Sequence, residues 1–222
     1  MAHIAKMKAD VLQTGRMLLD KGLVAGTWGN ISARIPETSL IAVTPSGKGY
    51  YDITADDIVI VNSAGTVYEG NLKPSSELPL HLAIYQARMD VQAIVHTHSI
   101  FASACAVAHK SIPPIIEDLV QLNGGGVDVA SYALPGTETL AQNVVKALNN
   151  KTTVLMANHG MVGCGQTLQE AMLACELVEK SAQIYIYANQ VGGARILSDE
   201  DVNIMHDFYA AHYRQRQQGR NI

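Results

Sequence analysis

The chain has 222 residues, 48% of them hydrophobic and 16% charged, with a formal net charge of −4. That length without any linker-like stretch points to one globular domain over residues 1–222, and the acidic balance argues against nucleic acid as a partner, because binding a phosphate backbone needs a basic surface. No run approaches the roughly eighteen apolar residues of a membrane span, the N-terminal segment lacks the continuous apolar core of a signal peptide, and Cys105, Cys164 and Cys175 are odd in number and widely spaced, so a cytoplasmic protein with reduced, buried thiols is expected.

In chain order, Ile4, Met7, Val11, Leu18 and Leu19 fall at helical intervals and predict an opening helix that stops at Gly22. Short β-like runs follow at 30–34, 40–44, 57–61 and 66–68, a meander of antiparallel strands. Ser76 is the expected N-cap of a helix running to about Arg88, with Pro79 tolerated in its first turn. An apolar strand 93–98 comes next, then a small-residue segment 101–108. Thr137 caps a helix to Leu148, and 152–157 is a β-branched apolar run. Thr167 with Glu170 forms a capping box that opens the longest helix, and Ser198 begins the last one. Arg214, Arg216 and Arg220 read as a solvated basic tail. Strands interleaved with helices, without a strict βαβ rhythm, suggest helical layers around a mostly antiparallel sheet.

The chemistry concentrates at three histidines. In a strand, residues i and i+2 share a face, so His96 and His98 aim at one volume. His159, at the end of a second apolar strand, completes a facial set of imidazoles of the kind that holds a catalytic zinc with one position open. The other five histidines show no comparable partners in the sequence. Ser75-Ser76-Glu77 places hydroxyls and free N–H groups at a helix start, where an anion can bind, although ordinary capping accounts for it when taken alone. The glycine-containing turns 26–30 and 44–47 could offer further N–H groups. No P-loop, G-x-G-x-x-G fingerprint or G-x-S-x-G elbow occurs.

Read together and in order, GTWGN (26–30), TPSG (44–47), KPSSE (73–77), VHTHS (95–99) and NHG (158–160) resemble the class II aldolase family typified by L-fuculose-1-phosphate aldolase and L-ribulose-5-phosphate 4-epimerase, and the resemblance covers nearly the whole chain. It implies a three-layer α/β/α fold with a central, mostly antiparallel sheet, and a homotetramer with active sites at subunit interfaces. His96, His98 and His159 match its zinc ligands, and Glu77 matches the carboxylate that binds zinc at rest and then acts as base. Gly29, Asn30, Ser46, Gly47, Ser75 and Ser76 match its phosphate pocket. The implied reaction is metal-dependent retro-aldol cleavage of a ketose 1-phosphate to dihydroxyacetone phosphate and an aldehyde, with Zn2+ as the expected cofactor and Mn2+ or Co2+ as alternatives. An epimerase, or a sugar-phosphate decarboxylase or dehydratase on the same scaffold, is the alternative. Glu77 in place of the epimerase aspartate, and the lack of an epimerase insertion before His159, favour an aldolase. Trp28 and the HTHS wording lean the other way.

The chain departs from the fuculose-phosphate pattern where that aldolase places two tyrosines. Glu117 follows the Ser111-Ile112-Pro113 stretch, and the C-terminal position has Tyr209, His212 and Tyr213 around it. Glu117 and Tyr213 are therefore the candidate catalytic acids. Phe101 and residues 112–116 suggest a site for a less polar aldehyde tail, such as that of a 5-deoxy or 5-methylthio pentulose 1-phosphate.

Overall fold

The computed structural model describes residues 2–214; Arg216, Arg220 and the side chain of the candidate acid Tyr213 lie outside the described residues. Helix α1 (Ala2–Asp20) buries Val11, Leu12 and Leu18. It ends as expected, with the Gly22 N–H on the Leu19 carbonyl and the Leu23 N–H on the Leu18 carbonyl, the paired bonds of a Schellman closure.

Strands β1 (Asn30–Arg34), β2 (Leu40–Val43), β3 (Val59–Asn62) and β4 (Val67–Glu69) form the antiparallel meander. After α2 (Leu78–Ala87) and β5 (Ala93–Thr97) come α3 (Ile100–Val107), α4 (Glu117–Asn123) and the two-residue strand β6 (Val129–Ala130). Helix α5 (Glu138–Leu148), the hairpin β7 (Thr153–Met156) and β8 (Gly160–Gly165), and helices α6 (Leu168–Gln190) and α7 (Asp199–Phe208) complete the order. One sheet of order β4-β3-β2-β1-β5-β8-β7-β6 runs through the molecule, antiparallel except where β6 joins β7.

Alternation along the strands sends side chains to two cores. Ile31, Ala33, Ala93 and Val95 face α1, α3 and α6 on one side. On the other, Ile41, Val43, Ile94, Val154 and Val162 pack under Leu80 and Ile84 of α2 and Leu140, Val144 and Leu148 of α5. The result is the expected three-layer α/β/α arrangement. No helix among the described residues is long and apolar enough to cross a membrane, and the three cysteines are free and buried.

Several expectations need correction. Ser76 is not the N-cap of α2. Glu77 is, because the Ser75 hydroxyl accepts the Glu77 N–H and the Ser75 carbonyl accepts the Leu78 N–H, which delays the helix by one residue. Thr167 caps α6 by accepting the Glu170 N–H, yet the Glu170 carboxylate returns to the Gln166 N–H rather than to Thr167. Arg214 is not solvated: its Nε lies 2.7 Å from the buried Glu170 Oε1, and its guanidinium covers the Tyr209 ring.

Candidate metal centre

His96 shares a strand face with Ile94, which packs in the core beneath α2 and α5. Its ring therefore points to the side of the sheet on which α2 begins, and Glu77 stands at that beginning. His98 lies just beyond the last residue of β5, and His159 is on the three-residue loop joining β7 to β8. That loop turns through Asn158 at a φ of 55°, and the Asn158 amide oxygen is fixed by His109 Nε2 at 2.6 Å.

Two glycines let the backbones close around these rings. Gly29 has a φ of 82°, and a Cβ there would lie 2.8 Å from the His96 carbonyl oxygen. A Cβ on Gly160 would collide with the Thr97 carbonyl and press on the His98 ring.

The three histidines converge, with ring centroids 4.7, 4.8 and 5.0 Å apart and their nearest ligand atoms within 4.8 Å of one another. Glu77 faces them with Oε2 3.1 Å from His96 Nε2 and Oε1 3.4 Å from His159 Nε2. His96 and His98 bring their Nε2 atoms to 2.9 Å. Ligands about 2.0–2.1 Å from a tetrahedral zinc stand about 3.3 Å apart, and these separations bracket that value. His96 Nδ1 lies 2.8 Å from the Met161 carbonyl, which can only accept. The proton is thus on Nδ1, and Nε2 presents its lone pair to the centre. Glu77 Oε1 and His159 Nδ1 are buried without a hydrogen-bond partner, and a cation between the rings and the carboxylate would satisfy the former.

The electrostatics agree. Burial, reinforced by His96 and His159 against the pull of Glu77, pushes the His98 pKa down to about 3. Burial and then His96 push His159 down to about 4, Glu77 again opposing. Both rings are neutral near pH 7, as metal ligation requires. Burial works to raise the Glu77 pKa, but contacts with His96, His159 and Asn30 outweigh it and hold the carboxyl well below the usual carboxylate range.

The loops expected to bind an anion adjoin this centre through Ser75 and Ser76, which immediately precede Glu77. The loops 44–47 and 73–76 are stitched together by Ser46 N–H to the Lys73 carbonyl and Ser75 N–H to the Thr44 carbonyl, leaving Ser46, Gly47 and Ser76 exposed and Ser75 buried. Asn30 has its amide engaged, its Nδ2 donating to Glu77 Oε2 at 2.8 Å and its Oδ1 lying 2.6 Å from His81 Nε2. Trp28 is 66% exposed and stacks on His98 with ring centroids 5.8 Å apart.

Other candidates stand apart from the histidines within one chain. Glu117 is exposed on the first turn of α4, in a depression it shares with Ile115, Ile116, Asp118, Gln121, Lys180 and Leu197. Tyr209 is buried against Leu122 and Ala174, and His212 stacks on Phe208. Ile112 is fully buried in the core and cannot line a substrate site, while Phe101 packs edge-on against Tyr187.

Sequence reasoning passed over two features. His81, grouped with the histidines lacking partners, contacts Asn30 and Ser32; the signal was the four-residue spacing Glu77, His81, Tyr85 on a helix. Glu179 of α6 accepts the Phe101 and Ala102 N–H groups at 2.9 and 2.8 Å, anchoring α3 immediately after His98, and nothing local in the sequence announces it.

A family model described as the Class II Aldolase and Adducin N-terminal domain matches residues 9–186. The chain is 35% identical to a 5-deoxy-D-ribulose 1-phosphate aldolase of Bacillus thuringiensis over 90% of its length and 93% of that protein. It is 34% identical to the L-fuculose phosphate aldolase of Escherichia coli K12 over 90% of its length and 92% of the relative. A solved structure of an L-fuculose 1-phosphate aldolase, 36% identical, matches with a TM-score of 0.89 over 92% of this chain and 96% of the other.

Proposed function

The chain belongs to the class II aldolase and adducin N-terminal family, and from that premise we propose that it cleaves a ketose 1-phosphate to dihydroxyacetone phosphate and an aldehyde, residues 1–222 acting as one domain. The observation that carries this reading is the convergence of His96, His98 and His159 on the paired oxygens of Glu77. His96, His98, His159 and Glu77 are the ligands, for Zn2+ in the first instance and for Mn2+ or Co2+ as alternatives. A divalent cation bound there supplies Lewis-acid stabilisation of the negative charge that builds on the ketose oxygens as the carbon–carbon bond breaks.

The protein groups do the rest. Gly29, Asn30, Ser46, Gly47, Ser75 and Ser76 frame the phosphate pocket, the Asn30 amide also bonding Glu77; this supplies position and remote binding energy. In the cleavage direction a proton leaves the C4 hydroxyl, the C3–C4 electron pair moves toward the C2 carbonyl oxygen, and Glu77 handles the proton at C3 that converts the enediol fragment to dihydroxyacetone phosphate. The group that serves the C4 oxygen comes across a subunit interface of a homotetramer, with Glu117 and Tyr213 as the candidates. Support for that assembly comes from Trp28, which stacks on His98 yet leaves a large apolar ring exposed in one chain. The relatives named for fuculose phosphate and for 5-deoxyribulose 1-phosphate are almost equally similar, so the aldehyde tail is read by assay.

That assay measures dihydroxyacetone phosphate released from L-fuculose 1-phosphate and 5-deoxy-D-ribulose 1-phosphate. We expect release by the metal-replete protein, none after EDTA, restoration by Zn2+, and a loss of at least about a thousandfold in Glu77→Gln, in the range seen when a central charged or catalytic group is removed. EDTA-resistant cleavage, or full activity in Glu77→Gln, would refute the reading.

A further inference from the structure

Behind Glu77 runs a buried line of hydrogen bonds that the aldol step does not itself require. Asn30 Nδ2 donates to Glu77 Oε2 at 2.8 Å. Asn30 Oδ1 meets His81 Nε2 at 2.6 Å. His81 Nδ1 meets Ser32 Oγ at 2.6 Å, and Ser32 Oγ meets the Tyr85 hydroxyl at 2.9 Å. All five side chains are buried, His81 and Ser32 completely. The line is a zipper of two periodicities: Glu77, His81 and Tyr85 recur every four residues along α2, and Asn30 and Ser32 share one face of β1.

One anchor fixes the sense of every bond. An ionised carboxylate only accepts, so Asn30 must turn its NH2 to Glu77 and its carbonyl to His81. His81 Nε2 must then donate. The ring is neutral, since burial and then the neighbouring His96 push its pKa down to about 3 against the pull of Glu77, which leaves Nδ1 as an acceptor. Ser32 donates to Nδ1, and its oxygen accepts from Tyr85. Beyond the tyrosine, the Arg34 guanidinium stacks on the ring at 4.6 Å and donates to the Tyr85 carbonyl. With Asn30 held this way, Glu77 Oε2 is occupied and the buried Oε1 is left without a hydrogen-bond partner.

We propose that His81 is a positioning residue: backed by Ser32 and Tyr85, it locks the Asn30 amide with its N–H toward Glu77 and so reserves Oε1 for the cation and for the proton at C3. Without the His81 N–H, Asn30 Oδ1 would be left buried with no donor, and the amide would swing away from Glu77 to satisfy it. The catalytic part of this inference rests on the aldolase reading, but the part concerning the cation does not.

The test compares the whole chain with His81→Leu, which removes both ring nitrogens, and His81→Gln, which keeps an N–H near the Nε2 position. Zn2+ affinity of the apoprotein is measured by competition with a chromophoric chelator, and kcat and KM by dihydroxyacetone phosphate release. Groups that orient metal ligands typically govern affinity or activity by 10–100-fold, so in His81→Leu we expect Zn2+ binding about tenfold weaker and kcat about tenfold lower, with KM changed less than about threefold. His81→Gln should stay within about threefold of wild type in both readouts. Because His81 acts through Asn30, the Asn30→Ala/His81→Leu double variant should be no worse than Asn30→Ala alone.

A folded His81→Leu protein with wild-type Zn2+ affinity, equal impairment in Leu and Gln variants, or simple additivity in the double variant would each overturn the proposal. If His81→Leu does not fold, Ser32→Ala decides: weakened Zn2+ binding supports the relay, and unchanged binding overturns it. Wild-type protein that binds Zn2+ but releases no dihydroxyacetone phosphate refutes the cleavage reading alone, and the titration still decides the relay.

Discussion

A Cβ on Gly160 would meet the Thr97 carbonyl and come within 3.1 Å of His98 Cδ2, so the start of β8 can approach the end of β5 only while this residue has no side chain. Gly160→Ala is expected to destabilise the protein by about 1–3 kcal/mol through overpacking, seen as a lower urea midpoint, and to weaken Zn2+ binding because His98 must move. His81 gives a pH signature at the same scale. An imidazole that titrates near 6.5 when unfolded and at about 3 when folded leaves the unfolded chain with more bound protons between those values. Unfolding free energy therefore rises with pH across that window; the contribution is fully present above 6.5 and is lost as pH falls toward 3. Urea unfolding of EDTA-treated protein between about pH 4.5 and 5.5 should show His81 contributing a slope approaching 1.4 kcal/mol per pH unit, flattening above about 6.5, which His81→Gln removes.

Elements with a clean local signature formed where expected. Thr137, Thr167 and Ser198 each accept the backbone N–H three residues on, opening α5, α6 and α7. Helices α3 and α4 and strand β8 carried no such signature. Ile100–Val107 is apolar except for Ser103 and so shows no polar face, α4 has seven residues, about two turns, and β8 reads GMVGCG, a composition poor in strand formers. Tertiary contacts set these segments instead. Asn123 at the end of α4 is the plainest case: its Oδ1 accepts the Thr152 and Thr153 N–H groups and the Thr153 hydroxyl, and its Nδ2 donates to the Gly126 carbonyl. Since each buried polar group left unpaired costs about 1–3 kcal/mol, Asn123→Ala should lower stability by about 3 kcal/mol in denaturant titration, more than an N-cap replacement at Thr167. A loss below that of Thr167→Ala would show that Asn123 does not join α4 to β7.

For the whole molecule, the candidate metal centre joins parts far apart in the chain: the head of α2, the end of β5 and the β7–β8 loop. A cation that binds only the folded arrangement stabilises it by mass action, by about 2.7 kcal/mol at a hundred times Kd. For a chain of this size that corresponds to a rise in Tm of about 5–10 °C. Calorimetry should show the rise on adding Zn2+ to the apoprotein, its reversal by EDTA, and no rise in His98→Ala. A Zn2+-independent Tm would mean that the three histidines do not hold the ion.

The sequence alone determined what depends on local geometry. The two-residue period of a strand put His96 and His98 on one face, the strand-end placement of His159 offered a third ligand, and the side-chain caps marked helix starts. The order of the five motifs carried the family resemblance. Only the tertiary structure decided which face of the sheet His96 occupies, that Glu77 rather than Ser76 begins α2, that Asn30 bonds Glu77, and that His81 has partners. The physical reason is reach along the chain. The bonds from Asn30 to Glu77 and to His81 span 47 and 51 residues, and that from His96 to Met161 spans 65. A local pattern constrains such pairs too weakly to fix them, because they form only once the sheet has set its strand order and both cores have closed on it.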